Sequence, residues 1–360
     1  MNVPGNTTPG SVVCGPGTLA VRVFAHWMVA LVLLFLLNDY LIMWREWPGV
    51  LAFIDYQGWF GQGSATTSLQ GIALTQGWLQ FFGYIAAFVV VLGYVLLTRN
   101  RLLRTDADRL TALSAYVVRA AYWTVFLVGL ADMLISFLRV EDFLSAWVGE
   151  QLTSDLGRTV YRGTYVHFPL IGLALIIALF TRSLGYVWLA LLVVVAEFQI
   201  VITRFVFSYE QAFLGDLVRF WYAALFLFAS ANTLITGGHV RVDVFYTNFS
   251  VRRKAWVNLW GSVLLGMPLC WTILTMGMWT RGSSLNSPLY SFEISQSAYG
   301  MYVKYLMGAF LIVYAVSMLI QFSSYVLSSA ADLRGEPGGD QREAMEQILL
   351  DPDVTVTIQD

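Results

Sequence analysis

Long apolar runs separated by short polar segments are the main pattern of the chain. Each run is about 18 residues or longer, enough for a helix to cross the roughly 30 Å hydrocarbon core of a bilayer. Barrel strands would need only about ten residues of alternating polarity, which these runs lack. Since lipid offers no partner to backbone polar groups, the runs predict helices. The eight predicted spans lie near residues 23–43, 79–98, 114–138, 164–181, 184–203, 217–236, 255–280 and 301–328.

Other segments are too short or too polar to span. Between spans 3 and 4, apolar residues at helical spacing predict a helix lying on the membrane surface. These residues are Phe143, Leu144, Trp147, Val148 and Leu152. Residues 1–22 are predicted to be a loose N-terminal tail, and the polar, acidic residues 331–360 a flexible cytoplasmic tail. The predicted fold is an all-α polytopic membrane bundle of about eight transmembrane helices plus short interfacial helices.

Composition places the chain firmly among membrane proteins. Hydrophobic residues make up 58% and charged residues 12%, and the mean hydropathy is +0.65. A soluble domain carries about 25% charged residues. The net charge of −2 gives no indication of nucleic-acid binding. Cys14 and Cys270 are predicted to be unpaired, and the first span is predicted to be an anchor rather than a cleaved signal peptide.

The distribution of cations predicts the orientation of the chain. With the N-terminus inside, the inner segments carry Arg22, Arg99, Arg101, Arg104, Arg109, Arg182, Arg241, Arg252, Arg253, Lys254, Arg334 and Arg342. The outer segments then carry only Arg45, Arg139, Arg158, Arg162, Arg204 and Arg281. Because cytoplasmic loops are enriched in Lys and Arg, both termini are predicted to be cytoplasmic.

The segment after span 6 is the most distinctive polar stretch. Gly237 and Gly238 allow a tight turn, and His239, Arg241 and Asp243 follow at alternate positions. No nearby residue supplies a nucleophile, so these three are predicted to hold the turn, with Arg241 meeting the C-terminus of span 6. A contact with a partner subunit or with lipid headgroups is the alternative.

This stretch, GGHVRVDVFY followed by SVRRKAW, resembles the small membrane (DctQ-like) subunit of tripartite ATP-independent periplasmic (TRAP) transporters. Further elements that fit the family in order and spacing are Arg204, Phe205, Phe207, Asp216, Leu217, Arg219, Lys304, Gln321 and the LRG at 333–335. The chain departs from the pattern at Phe213, where tryptophan is usual, and at Asp216, where glutamate is usual.

The resemblance covers the last four spans only. It implies a DctQ-like four-helix membrane domain at 183–330, preceded by an extension of four further spans at 23–182. It also implies a brace for a large, separate membrane subunit, which takes up an organic acid with sodium ions from a periplasmic binding protein in the bacterial inner membrane. Membrane lipids are the remaining partners. Substrate and stoichiometry are not predicted by the sequence.

Three charged residues near spans 5 and 6 are interface candidates. The resemblance implies a short surface helix within 205–216, with Arg204 near Asp216 holding it in place. Arg219 follows Asp216 at the i, i+3 spacing of a helical ion pair. A structural clamp is the main reading, and a direct contact with the partner subunit is the alternative.

Asp132 and Glu197 are acids within spans, both expected in the outer half of the bilayer. Such residues are costly in lipid and are functional candidates by default. The alternative to a brace is therefore a self-sufficient transporter or channel that uses them as ion ligands. Pairing or protonation is the structural explanation. The three histidines do not suit a bis-histidine haem, and no metal, cofactor or enzymatic activity is predicted.

Overall fold

The computed structural model describes residues 15–59, 69–182, 186–235, 246, 249–294 and 300–338. Within these ranges the chain is helical and contains no strand. Its helices are α1 (Pro16–Arg45), α2 (Val50–Tyr56), α3 (Ile72–Leu97), α4 (Leu103–Val140), α5 (Phe143–Val148), α6 (Glu150–Leu156), α7 (Thr159–Arg162), α8 (Phe168–Phe180), α9 (Tyr186–Phe207), α10 (Ala212–Ile235), α11 (Val251–Gly261), α12 (Met267–Met278), α13 (Asn286–Ser291) and α14 (Lys304–Leu333).

Eight helices among the described residues are long and apolar enough to cross a membrane. They are α1, α3, α4, the continuous α7–α8 and α11–α12 helices, α9, α10 and α14. The predicted all-α bundle is therefore confirmed. The short helices α5 and α6 occupy the segment for which a surface helix was predicted.

Two of the long helices contain a turn of π-helix, at Gly163–His167 and at Ser262–Gly266. Each turn comes just before a proline in the first turn of the next helical segment, Pro169 and Pro268. Proline has no N–H, and its ring clashes with the carbonyl four residues earlier, so the preceding turn widens. The first of these turns contains His167.

The prediction of a surface helix within 205–216 is wrong. Helix α9 continues to Phe207, and α10 already begins at Ala212. Ser208 takes a left-handed conformation with φ 51°, and the Tyr209 N–H donates to the Thr203 carbonyl at 2.9 Å. This bond caps α9 and leaves a turn of only a few residues, too short for a separate helix.

The chain divides into two compact units. The first contains residues 1–111, 241–265 and 322–360. In it α1 and α2 pack against α3. The buried Phe53 of α2 lies among aromatic rings of Trp59, Trp78 and Phe81. A Cβ atom at Gly77 would lie 2.6 Å from the Phe53 ring. The lack of a side chain at this position therefore allows α2 to pack closely against α3.

The second unit contains residues 112–240 and 266–321. Its core combines buried residues of α4, such as Val125 and Val128, with residues of α10 and α14, such as Phe220 and Phe310. Spans 3 and 4 of the predicted extension thus share one core with α9, α10 and α14. The compact units do not follow the predicted domains along the chain, and the limits at 182 and 330 stay a prediction.

The last helix extends further than predicted. Helix α14 ends at Leu333, Gly335 takes a positive φ of 67°, and Glu336 is buried. Residues 331–338 therefore belong to the folded part, because the Glu336 N–H donates back to the Ala331 carbonyl at 3.0 Å. The remainder of the predicted flexible tail lies outside the described residues.

Candidate functional site

A buried polar cluster in the second unit surrounds Asp132 of α4. The side chains of Asp132, Arg162 and His167 are all buried. One carboxylate oxygen, Oδ1, accepts from Arg162 Nη1 at 2.9 Å and lies 3.0 Å from His167 Nε2. The other, Oδ2, accepts from the Tyr302 backbone N–H at 2.7 Å. Both oxygens are therefore engaged by donors from α7, from the π-turn and from the segment before α14.

Neighbouring groups hold the partners of Asp132 in position. Arg162 Nε donates to the Leu156 carbonyl at 2.9 Å and Nη1 to Ser136 Oγ at 3.2 Å. The guanidinium also lies over the Tyr302 ring, 4.1 Å from its centroid. These contacts hold the guanidinium through Nε and Nη1, while the buried Nη2 has no hydrogen-bond partner among the described residues.

His167 connects this cluster to α14. Its Nδ1 lies 2.9 Å from the Tyr305 hydroxyl oxygen. Because a carboxylate can only accept, Nε2 carries the hydrogen toward Asp132, and a neutral ring then accepts from Tyr305 through Nδ1. Both ring nitrogens of His167 are thus used within the protein. When the ring is neutral, the cluster carries one cation, Arg162, and one carboxylate, Asp132.

A second carboxylate holds the adjacent peptide group. Asp216 of α10 accepts through Oδ2 from the Met301 N–H at 3.1 Å. Consecutive amides, Met301 and Tyr302, are thus held by carboxylates from two different helices, α10 and α4. Both residues are buried. We call this pair of bonds, with Asp132 and Asp216, the amide clamp.

The other candidates near Asp216 lie at the surface. Arg219 Nη1 is 3.8 Å from Asp216 Oδ1 and its side chain is 77% exposed, so this predicted i, i+3 pair is loose. Arg204 lies 3.6 Å from Glu210, with both side chains exposed. Arg204 therefore lies near an acid of the turn between α9 and α10 and does not hold a surface helix in place.

Tyr209 in the same turn has a firmer contact. Its hydroxyl donates to Glu141 Oε1 at 2.8 Å. Burial of the phenol, with the hydrogen bond and negative charge of Glu141, raises the pKa of Tyr209 to about 12. This bond joins the α9–α10 turn to the C-terminal end of α4.

A second buried ion pair lies in the first unit. Arg22 of α1 donates through Nε to Asp106 of α4 at 2.7 Å, and both side chains are fully buried. Its Nη1 and Nη2 donate to the carbonyl and hydroxyl oxygens of Thr98, each at 2.8 Å. Sequence reasoning counted Arg22 only as a cation for orientation and missed this structural role.

The LRG element at 333–335 leads into a cap on α4. The Glu336 carboxylate accepts from the Leu103 N–H at 3.0 Å, at the N-terminus of α4, where a negative charge is favoured. Arg104 donates to Asp332 at 2.7 Å and to the Pro337 carbonyl at 2.9 Å. Residues on both sides of the LRG element, Asp332, Glu336 and Pro337, thus hold the N-terminal end of α4.

Glu197 differs from the other acids of the spans. It is exposed on α9, and the structure gives it no hydrogen bond or ion pair with any described residue. It lies close to the midpoint of α9, about 15 Å from either end of the helix. Sequence reasoning grouped it with Asp132, but the structure separates a paired acid from an exposed one.

The predicted turn residues Gly237, Gly238, His239, Arg241 and Asp243 lie outside the described residues. Their predicted roles at the turn remain predictions.

Comparison with known families identifies the last four spans. Residues 190–328 match the family model described as "Tripartite ATP-independent periplasmic transporters, DctQ component". The resemblance stated from the sequence is thereby confirmed over this segment, and the apolar helices before it are consistent with an extension. The family is a transporter component and not a family of enzymes, and the chain is a multi-pass membrane protein. No curated protein and no solved structure matches the chain.

Proposed function

We propose that the chain is the small permease subunit of a TRAP-type secondary transporter. In this role it braces a large membrane subunit that takes up an organic acid together with sodium ions. A periplasmic binding protein delivers the substrate, and the complex lies in the bacterial inner membrane with both termini of this chain cytoplasmic. The observation that carries the proposal is the DctQ match across residues 190–328.

The described contacts support a rigid brace. Asp132 and Arg162 neutralise each other in a buried site, as do Arg22 and Asp106. Removing one member of such a pair leaves an uncompensated buried charge, so these pairs resist rearrangement. A fixed element suits a scaffold better than a moving transport domain, whose substrate sites are usually built from interrupted helices with free backbone groups.

The competing function is a self-sufficient transporter or channel that uses Asp132 and Glu197 as ion ligands. Both oxygens of Asp132 are already engaged, one of them by a guanidinium. A sodium ion would have to displace that cation, and Glu197 supplies only one carboxylate on an exposed helix face. This geometry favours the brace.

Reconstitution in liposomes tests the proposal. Vesicles with this chain alone are expected to take up no organic acid under a sodium gradient. Vesicles with this chain and the large subunit, supplied with the binding protein, are expected to show sodium-dependent uptake. Uptake by this chain alone would contradict the brace and favour the competing function.

A further inference from the structure

The exposed carboxylate of Glu197 marks one face of α9. Helix α9 is the least buried of the eight candidate spans. Only 6% of the residues in its apolar stretch are buried, against 17–56% in the other spans. One side of it packs on the core of the second unit through Leu192, Val193 and Ile200. The other side presents Val194, Phe198 and Val201, all exposed, beside Glu197.

The depth of Glu197 rules out easy hydration. At about 15 Å from either end of α9, the carboxylate is beyond the reach of a two-carbon side chain toward the headgroups. Charged groups at the centre of a bilayer are costly, and in membrane proteins they almost always face a bundle interior or a water-filled cavity and pair with another polar group. The position is therefore that of an interior residue whose covering helix belongs to another chain.

A second copy of this chain does not fit as the cover. Two copies in one membrane share their orientation, so a symmetric pair is related by a two-fold axis along the membrane normal. Contact through this face would bring Glu197 against its own copy at the same depth. Two carboxylates at short distance disfavour each other's ionised form, so we take the complementary surface to belong to a different chain.

We infer that the α9 face formed by Val194, Glu197, Phe198 and Val201 is the docking surface for a transmembrane helix of the large membrane subunit. That helix presents a hydrogen-bond donor or a cation at mid-membrane depth, opposite Glu197. Polar contacts between helices in lipid act together with close packing of apolar side chains. The inference rests on the proposed function, because it takes the partner to be the large subunit of a TRAP transporter.

Photo-crosslinking tests the surface. The full-length chain carries benzoylphenylalanine in place of Phe198 and is co-expressed with the large subunit. Irradiation of the membranes is expected to give a covalent product containing both chains, identified by mass spectrometry. Glu197→Leu is expected to lower the yield of that product about three- to tenfold, since it removes the polar contact. Glu210→Leu removes an exposed carboxylate beyond the end of the same helix and is expected to leave the yield unchanged.

Leucine is favourable in lipid, so the chain with Glu197→Leu is expected to fold. Size-exclusion chromatography of each variant alone checks this directly. An unchanged yield with Glu197→Leu, a product linking two copies of this chain, or a product with lipid alone would each overturn the inference. If the two subunits co-purify but position 198 does not crosslink to the large subunit, only the inference fails. If they do not associate at all, the proposed function fails.

Discussion

Substitution of Arg162 by methionine should destabilise the protein strongly. The change keeps much of the side-chain volume but removes the cation 2.9 Å from the buried Asp132. It also removes the hydrogen bonds to Leu156 and Ser136 and the contact with the Tyr302 ring. Leaving a buried carboxylate without its cation costs about 3–5 kcal/mol.

A double variant separates the lost charge from the lost packing. Asp132→Asn combined with Arg162→Met leaves no buried charge, so its loss of stability should be smaller than the sum of the two single losses. Groups in direct contact show coupling energies of about 0.5–3 kcal/mol in such cycles. We expect a coupling at the upper end of this range, since the pair is fully buried.

Thermal unfolding of the full chain in detergent measures these effects. For Arg162→Met we expect the unfolding midpoint to fall by roughly 5–10 °C, given that a large domain loses about 2–4 °C or less per kcal/mol. The matched control is Arg158→Met, one turn earlier, where the arginine is 72% exposed and lies 3.5 Å from Asp155. An exposed pair is worth about 0–1 kcal/mol, so this control should unfold near the wild-type midpoint.

Two results would refute the reasoning. If Arg162→Met unfolded at the same temperature as Arg158→Met, the buried pair would contribute nothing to stability. If the double variant lost the full sum of the single effects, the two side chains would act independently and the cluster would not be a unit.

Three further predictions follow from other contacts. Glu336→Ala removes the cap on α4 and should cost about 0.5–2 kcal/mol, seen as faster hydrogen exchange of the first amides of that helix. Burial of the phenol, together with its bond to Glu141, raises the pKa of Tyr209 to about 12. The stability linked to this shift is present below about pH 10 and is lost as the pH rises through about 12. Absorbance of the tyrosinate and unfolding midpoints should show this loss, and Tyr209→Phe should remove that part of the pH dependence. Gly129→Ala places a Cβ atom 2.6 Å from the Trp221 indole nitrogen and should cost about 1–3 kcal/mol in thermal unfolding, whereas alanine at the open Gly93 should not.

The number of spans was predictable because the thickness of the bilayer fixes how many apolar residues each helix needs. Hydropathy reports the lipid-embedded part of a helix rather than its ends. Helix α4 therefore begins at Leu103, well before the predicted start near 114. The polar residues of its first turns have partners, such as Arg22 for Asp106, and so the helix continues through them.

The candidate site was predictable only in part. Asp132 stood out as an acid in an apolar run, but its partners lie far along the chain, at Arg162, His167 and Tyr302. Arg162 was assigned to an outer segment because it follows a polar stretch, and nothing local to it indicates burial. A pairing of this kind depends on how helices pack, which periodicity along one segment does not report.

The turn between α9 and α10 shows a different reason for an error. The family resemblance implied the surface helix, for a segment that is rich in phenylalanine and too short to span the membrane. The outcome was decided by the left-handed Ser208, a conformation that few non-glycine residues adopt and that residue type does not signal.

The amide clamp fixes the register of the last span. The N–H groups of Met301 and Tyr302 belong to two consecutive peptide planes, so Asp216 and Asp132 hold two adjoining peptide groups just ahead of α14. A shift of α14 by one residue, or a rotation about its axis, would move both N–H groups away from the carboxylates. The two hydrogen bonds would then be lost. A force that displaces α14 is therefore transmitted through these two bonds to both α4 and α10.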